Sequence, residues 1–217
     1  MSKYSVKVVK GEPEAPLIIL NSFGDEWKKT VDALDAMEPP SYSLIAVTDI
    51  DWNKDLSPWK ADAVFKGESG FAGGADQYLE ILVKDIVPEA VGSNGLVPSA
   101  KFICGYSMAG LFALYSLYKT DVFSGAASCS GSLWFPRFRE FISENGFASF
   151  PSKIYLSLGE REALTKNKIM ASVEDNTRAA SDIYRSMNID VLFEMNKGGH
   201  FNDPEVRLAK GIRYLLT

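Results

Sequence analysis

What is scarce in this 217-residue chain narrows its chemistry before any motif is read. It has one histidine, His200, and two cysteines, Cys104 and Cys129. A zinc site built from the usual imidazole and thiolate ligands would consume nearly all of them, so no metal and no cofactor is expected. Two cysteines cannot make the disulfide framework of a small secreted protein either, which suits a reduced compartment. The opening MSKYSVKVVKGEPEAPL has no apolar core of leader length, and a cytoplasmic protein is expected. Apolar runs such as Leu17-Ile18-Ile19-Leu20 are far too short to cross a bilayer, so no membrane partner is expected. Basic runs never exceed two residues, and the net charge is −5 with a pI near 5.0. That balance gives no basic face for nucleic acid.

What is present is the balance of a folded domain, 46% hydrophobic and 24% charged, with no repeat and no linker rich in Pro, Gly and Ser. A single domain over residues 1–217 is expected. Short, nearly continuous apolar runs at 16–20, 43–47, 101–104, 125–129, 153–158 and 191–195 read as parallel strands covered on both faces. Residues 5–9 read as an antiparallel edge. Helical spacing lies between them. Tyr78, Leu79, Leu82, Val83, Ile86 and Val87 form a face expected to stop before Pro88. Leu111, Leu114, Tyr115 and Tyr118 form another, and residues 169–187 read as one polar helix. Asp203-Pro204-Glu205 reads as a helix start, with Asp203 as cap, leading to an apolar face of Val206, Ala209, Ile212 and Leu216. The β-α alternation predicts an α/β fold with an open, mostly parallel sheet flanked by helices on both faces.

Gly105-Tyr106-Ser107-Met108-Ala109-Gly110 fits G-x-S-x-G with alanine in the last place. The motif is weak as a string, but it stands between a predicted strand and a predicted helix, the strand–turn–helix setting of a nucleophile elbow. A serine hydroxyl needs a base, and only His200 offers an imidazole. It follows the last predicted strand in Asn196-Lys197-Gly198-Gly199-His200, and loops at the carboxyl edge of a parallel sheet can bring it to Ser107. The third member should be a carboxylate lying between them in sequence. Gly159-Glu160-Arg161-Glu162 follows the strand at 153–158. Glu162 is the first choice and Glu160 the alternative, and a Ser–His dyad without an acid is a further reading. An oxyanion site needs two amide N–H groups. Met108 is expected to give one and Phe23, in Asn21-Ser22-Phe23-Gly24, the other, unless that segment merely ends a strand.

Aromatic residues gather at predicted strand ends. Trp52, Trp59, Phe65 and Phe71 fall in a long connection, residues 51–73, and Trp134 and Phe135 follow Ser132-Leu133. Trp52 and Trp134 are the candidates for substrate contact, and packing of the loop onto the body is the plainer reading for at least half of the group. Both cysteines, within predicted strands, are expected to be buried and inert.

Taken together, GYSMAGLFALY, SGSLWF, SLGEREALTKN and the terminal GGHF resemble the putative esterase family of α/β hydrolases, from about Pro16 onward. SGSLW and G-x-R-E are similar in particular to its enterochelin-esterase-like branch, although the NSFGDEW segment departs from that branch's early loop. The resemblance implies an α/β-hydrolase fold without a separate cap domain. It also implies an esterase acting on a small-molecule ester, with Ser107 as nucleophile, His200 as base and Glu162 at the acid position. An acyltransferase with the same triad and a non-catalytic binding protein of the same fold are the alternatives.

Overall fold

The computed structural model describes residues 3–64, 67 and 69–217. Its strands are β1 (Ser5–Val9), β2 (Leu17–Asn21), β3 (Ser43–Thr48), β4 (Lys60–Ala61), β5 (Phe71–Ala72), β6 (Lys101–Tyr106), β7 (Gly125–Cys129), β8 (Lys153–Gly159) and β9 (Asp190–Asn196). Seven of them form one sheet in the order β1-β3-β2-β6-β7-β8-β9, while β4 and β5 make a separate ribbon. All neighbours in the large sheet run parallel except β1, which lies antiparallel against β3 at the edge.

Side-chain alternation explains why the inner strands are apolar throughout. In β2, Leu17 and Ile19 join the core on one face while Ile18 and Leu20 join the core on the other. β6 repeats this with Ile103 against Phe102 and Cys104, and β8 with Ile154 and Leu156 against Tyr155. Helices α1 (Glu26–Asp35), α2 (Ala75–Ile81), α3 (Val87–Asn94), α4 (Met108–Lys119), α5 (Phe138–Glu144), α6 (Lys168–Ala171), α7 (Val173–Ser186) and α8 (Pro204–Leu216) divide between those faces. α1 and α8 pack together on one side, and α4 lies on the other, buried from Met108 to Tyr118. The outermost strand β9 is covered less completely, and Leu192 and Met195 stay exposed.

Three local expectations are corrected. Pro88 does not end its helix. Residues Leu82–Ile86 widen into a π turn, and Pro88 enters at the start of α3. The wider turn removes the need for the N–H that proline lacks and gives its ring room. The segment 169–187 is two helices broken at Ser172, because the Asn167 side chain caps Ile169 and Met170 and starts a separate short turn. Asp203 precedes α8 as expected but sits in the left-handed region at φ 50°, with no side-chain capping bond. The buried stripe of α8 is Arg207, Leu208, Gly211, Ile212 and Leu215 with Ala209, leaving Val206 and Leu216 half-buried.

The connection at residues 51–73 is anchored rather than free. Asp55 is buried, accepting from Lys3 Nζ at 2.8 Å, Tyr4 Oη at 3.2 Å and the Asp51 amide at 3.0 Å. Trp59 packs on Tyr115, Phe135 and Phe141, and its Nε1 donates to the Pro136 carbonyl at 3.0 Å. Phe71 lies against Trp134 and Phe135, so both rings fasten the loop to the body. Phe65 falls outside the described residues.

Candidate active site

β6 ends at Tyr106 and α4 begins at Met108, which leaves Ser107 alone in the turn at φ 57°, ψ −122°. A non-glycine residue in such a conformation costs on the order of 1–3 kcal/mol and persists only where its surroundings hold it. Here the Ser107 amide donates to the Cys129 carbonyl at 3.1 Å, and its own carbonyl accepts from Ser132 at 3.0 Å and Leu111 at 3.1 Å. The motif's first glycine is dictated by space, since a Cβ at Gly105 would lie 2.3 Å from the Ala109 carbonyl carbon. The turn thus closes over small residues, and an alanine fits in the final place.

The loops after β6, β8 and β9 meet at the carboxyl edge of the sheet. After β9 the chain turns at Gly198, whose φ of 87° favours glycine, and presents His200. His200 Nε2 lies 3.1 Å from Ser107 Oγ, and Nδ1 lies 2.7 Å from Glu162 Oε2. A carboxylate can only accept, so Nδ1 carries the proton and the Nε2 lone pair faces the serine hydroxyl. Ser132 Oγ is also 3.2 Å from Ser107 Oγ.

Glu162 is nearly buried, its side chain 4% exposed. Its Oε1 accepts from the Gly159 amide at 2.6 Å, Ser130 Oγ at 2.7 Å and Arg207 Nη1 at 2.9 Å. Burial alone would raise its pKa, but the bonds and charge of His200, with the Ser130 and Gly159 donors, outweigh it and hold the carboxyl below its ordinary value. Glu160 lies elsewhere: it is exposed, and its carboxylate faces the Gly198 amide at 3.4 Å.

Arg207 underlies the whole arrangement. Its Nη1 also donates to Ser130 Oγ at 2.9 Å and Tyr106 Oη at 3.2 Å, and its Nη2 to the carbonyls of Lys197 at 3.0 Å and Gly199 at 2.9 Å. Tyr106 in turn donates to the His200 carbonyl at 2.6 Å. Burial pushes the Tyr106 phenol up to about 12, against smaller opposing effects of Ser130 and Arg207, so it stays a neutral donor.

Of the two expected amide donors, Met108 directly follows Ser107 in the chain and Phe23 lines the same cleft as the serine. Met108 opens α4, ahead of the ladder in which helical N–H groups find partners. The Phe23 amide, just past β2, has no protein acceptor among the described residues. Beneath it Asn21 is buried, its Oδ1 accepting from Tyr78 Oη at 2.5 Å while its Nδ2 has no partner among the described residues.

A cleft of ≈ 280 Å³ opens above Ser107 and His200. Asn21, Ser22, Phe23 and Trp52 form one side, and Phe201, Pro204 and Leu208 the other. Tyr106 and Glu26 complete it. Phe23 and Trp52 meet edge to face at 5.7 Å. Trp134 is a correction: it does not line this cleft. Its ring is engaged by Phe71 at 6.0 Å and Phe135 at 6.4 Å, so it contributes to the packing of residues 51–73. Both cysteines are buried and free, and burial pushes their thiols up, Cys129 to about 12. Among the described residues, no group of three or more His, Cys, Asp or Glu converges as metal ligands would, and no helix is long and apolar enough to cross a membrane.

A family model described as "Putative esterase" matches residues 26–200, most of the chain. The chain belongs to that family. This esterase is an ester-hydrolysing enzyme by that membership. No curated protein matches its sequence. Among solved structures it resembles an IroE-like serine hydrolase from Shewanella oneidensis, with 17% identity and a TM-score of 0.80 over 98% of this chain and 80% of that one. The siderophore hydrolase EstA from Aspergillus nidulans shares 20% identity and a TM-score of 0.72, over 98% of this chain and 89% of its own. The enterochelin esterase from Shigella flexneri shares 17% identity and a TM-score of 0.72, with 98% of this chain covering 54% of that one. The fold of this esterase is therefore the α/β-hydrolase fold.

Sequence reasoning missed several residues that surround the esterase's Ser107. Arg207 lies off the apolar face read from the sequence and left no signal there; the structure places it in the buried stripe of α8. Ser130 and Ser132 gave none beyond their place after β7. Glu26 and Phe201 were concealed by their ordinary surface character, and Phe201 is 91% exposed.

Proposed function

We propose that this esterase hydrolyses a carboxylic ester through Ser107, His200 and Glu162. As Ser107 Oγ attacks the ester carbonyl carbon, His200 Nε2 takes its proton. Glu162 holds the imidazole by Nδ1 and stabilises the imidazolium that forms. The carbonyl oxygen becomes an oxyanion facing the amides of Phe23 and Met108. The bond to the alcohol oxygen then breaks, and His200 returns the proton to the departing alcohol. Water attacks the acyl-serine with His200 again as base, and the free acid leaves as Ser107 recovers its proton.

The observation that supports this reading is the continuous relay from Ser107 Oγ through both nitrogens of the chain's one imidazole to a buried carboxylate. A fluorophosphonate probe is expected to label Ser107. In Ser107→Ala both labelling and hydrolysis of p-nitrophenyl acetate should disappear, a loss of roughly 10⁶-fold in kcat. Wild-type protein that stays unlabelled at saturating probe would overturn the mechanism.

A further inference from the structure

We propose that the ester taken by this site carries a positively charged group, such as an ammonium, and that Glu26 selects for it; this rests on the hydrolytic reading of Ser107 and His200. Glu26 opens α1 and lines the cleft, and among the described residues its carboxylate has no ion-pair partner. The neighbouring Lys28 does not neutralise it, since its ammonium pairs with Asp25 at 2.8 Å.

No lysine or arginine among the described residues lines the cleft to receive an anion. Arg207, directly below, is 1% exposed and its donors are directed to Glu162, Ser130, Tyr106 and two carbonyls. The rim instead offers aromatic faces, with Phe23 65% and Phe201 91% exposed. Aromatic faces attract cations, and a nearby carboxylate adds to that attraction.

Beside the cleft lies a second cavity of ≈ 330 Å³, and Glu26, Tyr106 and Phe201 line both. There Glu26 is joined by Asp203 and Glu205, with Lys29 the one cation among the described lining residues. The positive ends of α1 and α8 open toward the same place, each equivalent to about half a charge. Even with these and Lys29, the balance stays negative by about one charge. A substrate carboxylate would meet like charge here, which is how a site rejects the wrong partner as well as attracting the right one.

The test uses two ester series, because the charge can lie on either side of the ester. One comprises the p-nitrophenyl esters of 4-(trimethylammonio)butanoic acid, its uncharged isostere 5,5-dimethylhexanoic acid, and glutaric acid. The other comprises the acetate esters of choline, 3,3-dimethylbutanol and glycolic acid. Normalised to the uncharged isostere, the cation should exceed the anion in kcat/KM by about tenfold in at least one series. In Glu26→Gln that ratio should fall by about threefold or more, and molar salt should shrink it in the wild type. Turnover of uncharged esters with no charge preference in either series, or a preference that survives Glu26→Gln, overturns the proposal and leaves the hydrolytic reading standing. Failure of every ester together with absence of fluorophosphonate labelling overturns both.

Discussion

The two sides of Ser107 are built on opposite terms. On the acid side, Glu162 and Arg207 are almost wholly buried and tied to each other, to Ser130 and to the backbone of the β8 and β9 loops. On the cleft side, Phe23 and Phe201 stand in solvent, and among the described residues Asn21 keeps an amide nitrogen without a protein partner and Glu26 has no ion pair. Burial explains the contrast. A charge removed from water must have its bonds satisfied in one geometry, which fixes every group around it. Apolar rings at a rim make no directional demand, so they can vary in identity without disturbing the relay behind them.

That contrast can be broken by substitution on either side. The largest effect is expected from Glu162→Gln, where an amide NH₂ would confront donors from His200 or Arg207. Its kcat/KM should fall about 10⁴-fold, the scale set when a triad carboxylate becomes an amide. Stability should follow a matching pH pattern. Because folding holds the Glu162 carboxyl below its ordinary value near 4.5, its contribution is present above that value and fades as pH falls through the lowered one. Urea unfolding of wild type and Glu162→Gln should therefore differ most near neutrality and converge in acid.

Arg207→Met comes next, leaving Glu162 buried without its cation and the Lys197 and Gly199 carbonyls without a donor. A loss of about 3–5 kcal/mol in unfolding free energy is expected from equilibrium denaturation. The smallest structural effect is expected from Phe201→Ala, below about 0.5 kcal/mol in stability, with KM rising and kcat little altered. If Phe201→Ala destabilised the chain as much as Arg207→Met, the division between a fixed side and a permissive one would be wrong.

The sheet was legible in the sequence because its inner strands are buried on both faces, which makes them apolar runs such as Leu17–Asn21 and Gly125–Cys129. The meeting of Ser107, Glu162 and His200 was legible because each follows a strand at the same sheet edge, in an order set by the chain. Arg207 was not, since a charge in a helix is ordinarily assigned to its solvated face, and only the interior arrangement shows what it holds. Trp134 misled for the converse reason. An aromatic residue after a strand can face a cleft or a neighbouring loop, and here Phe71 decides the matter. The break at Ser172 depends on a side-chain cap from Asn167, and the passage through Pro88 on a change of backbone pitch, neither of which leaves a periodic trace.

The bond from Tyr106 Oη to the His200 carbonyl has a mechanical consequence. Tyr106 is the residue immediately before the serine, so the loop bearing the imidazole is moored to the same short piece of chain that bears the hydroxyl. Flexing of the sheet is therefore expected to change their separation less than the distance between their parent strands. In the proposed mechanism that separation is the path of the proton, and a ligand pressing on the open rim is expected to leave it unchanged.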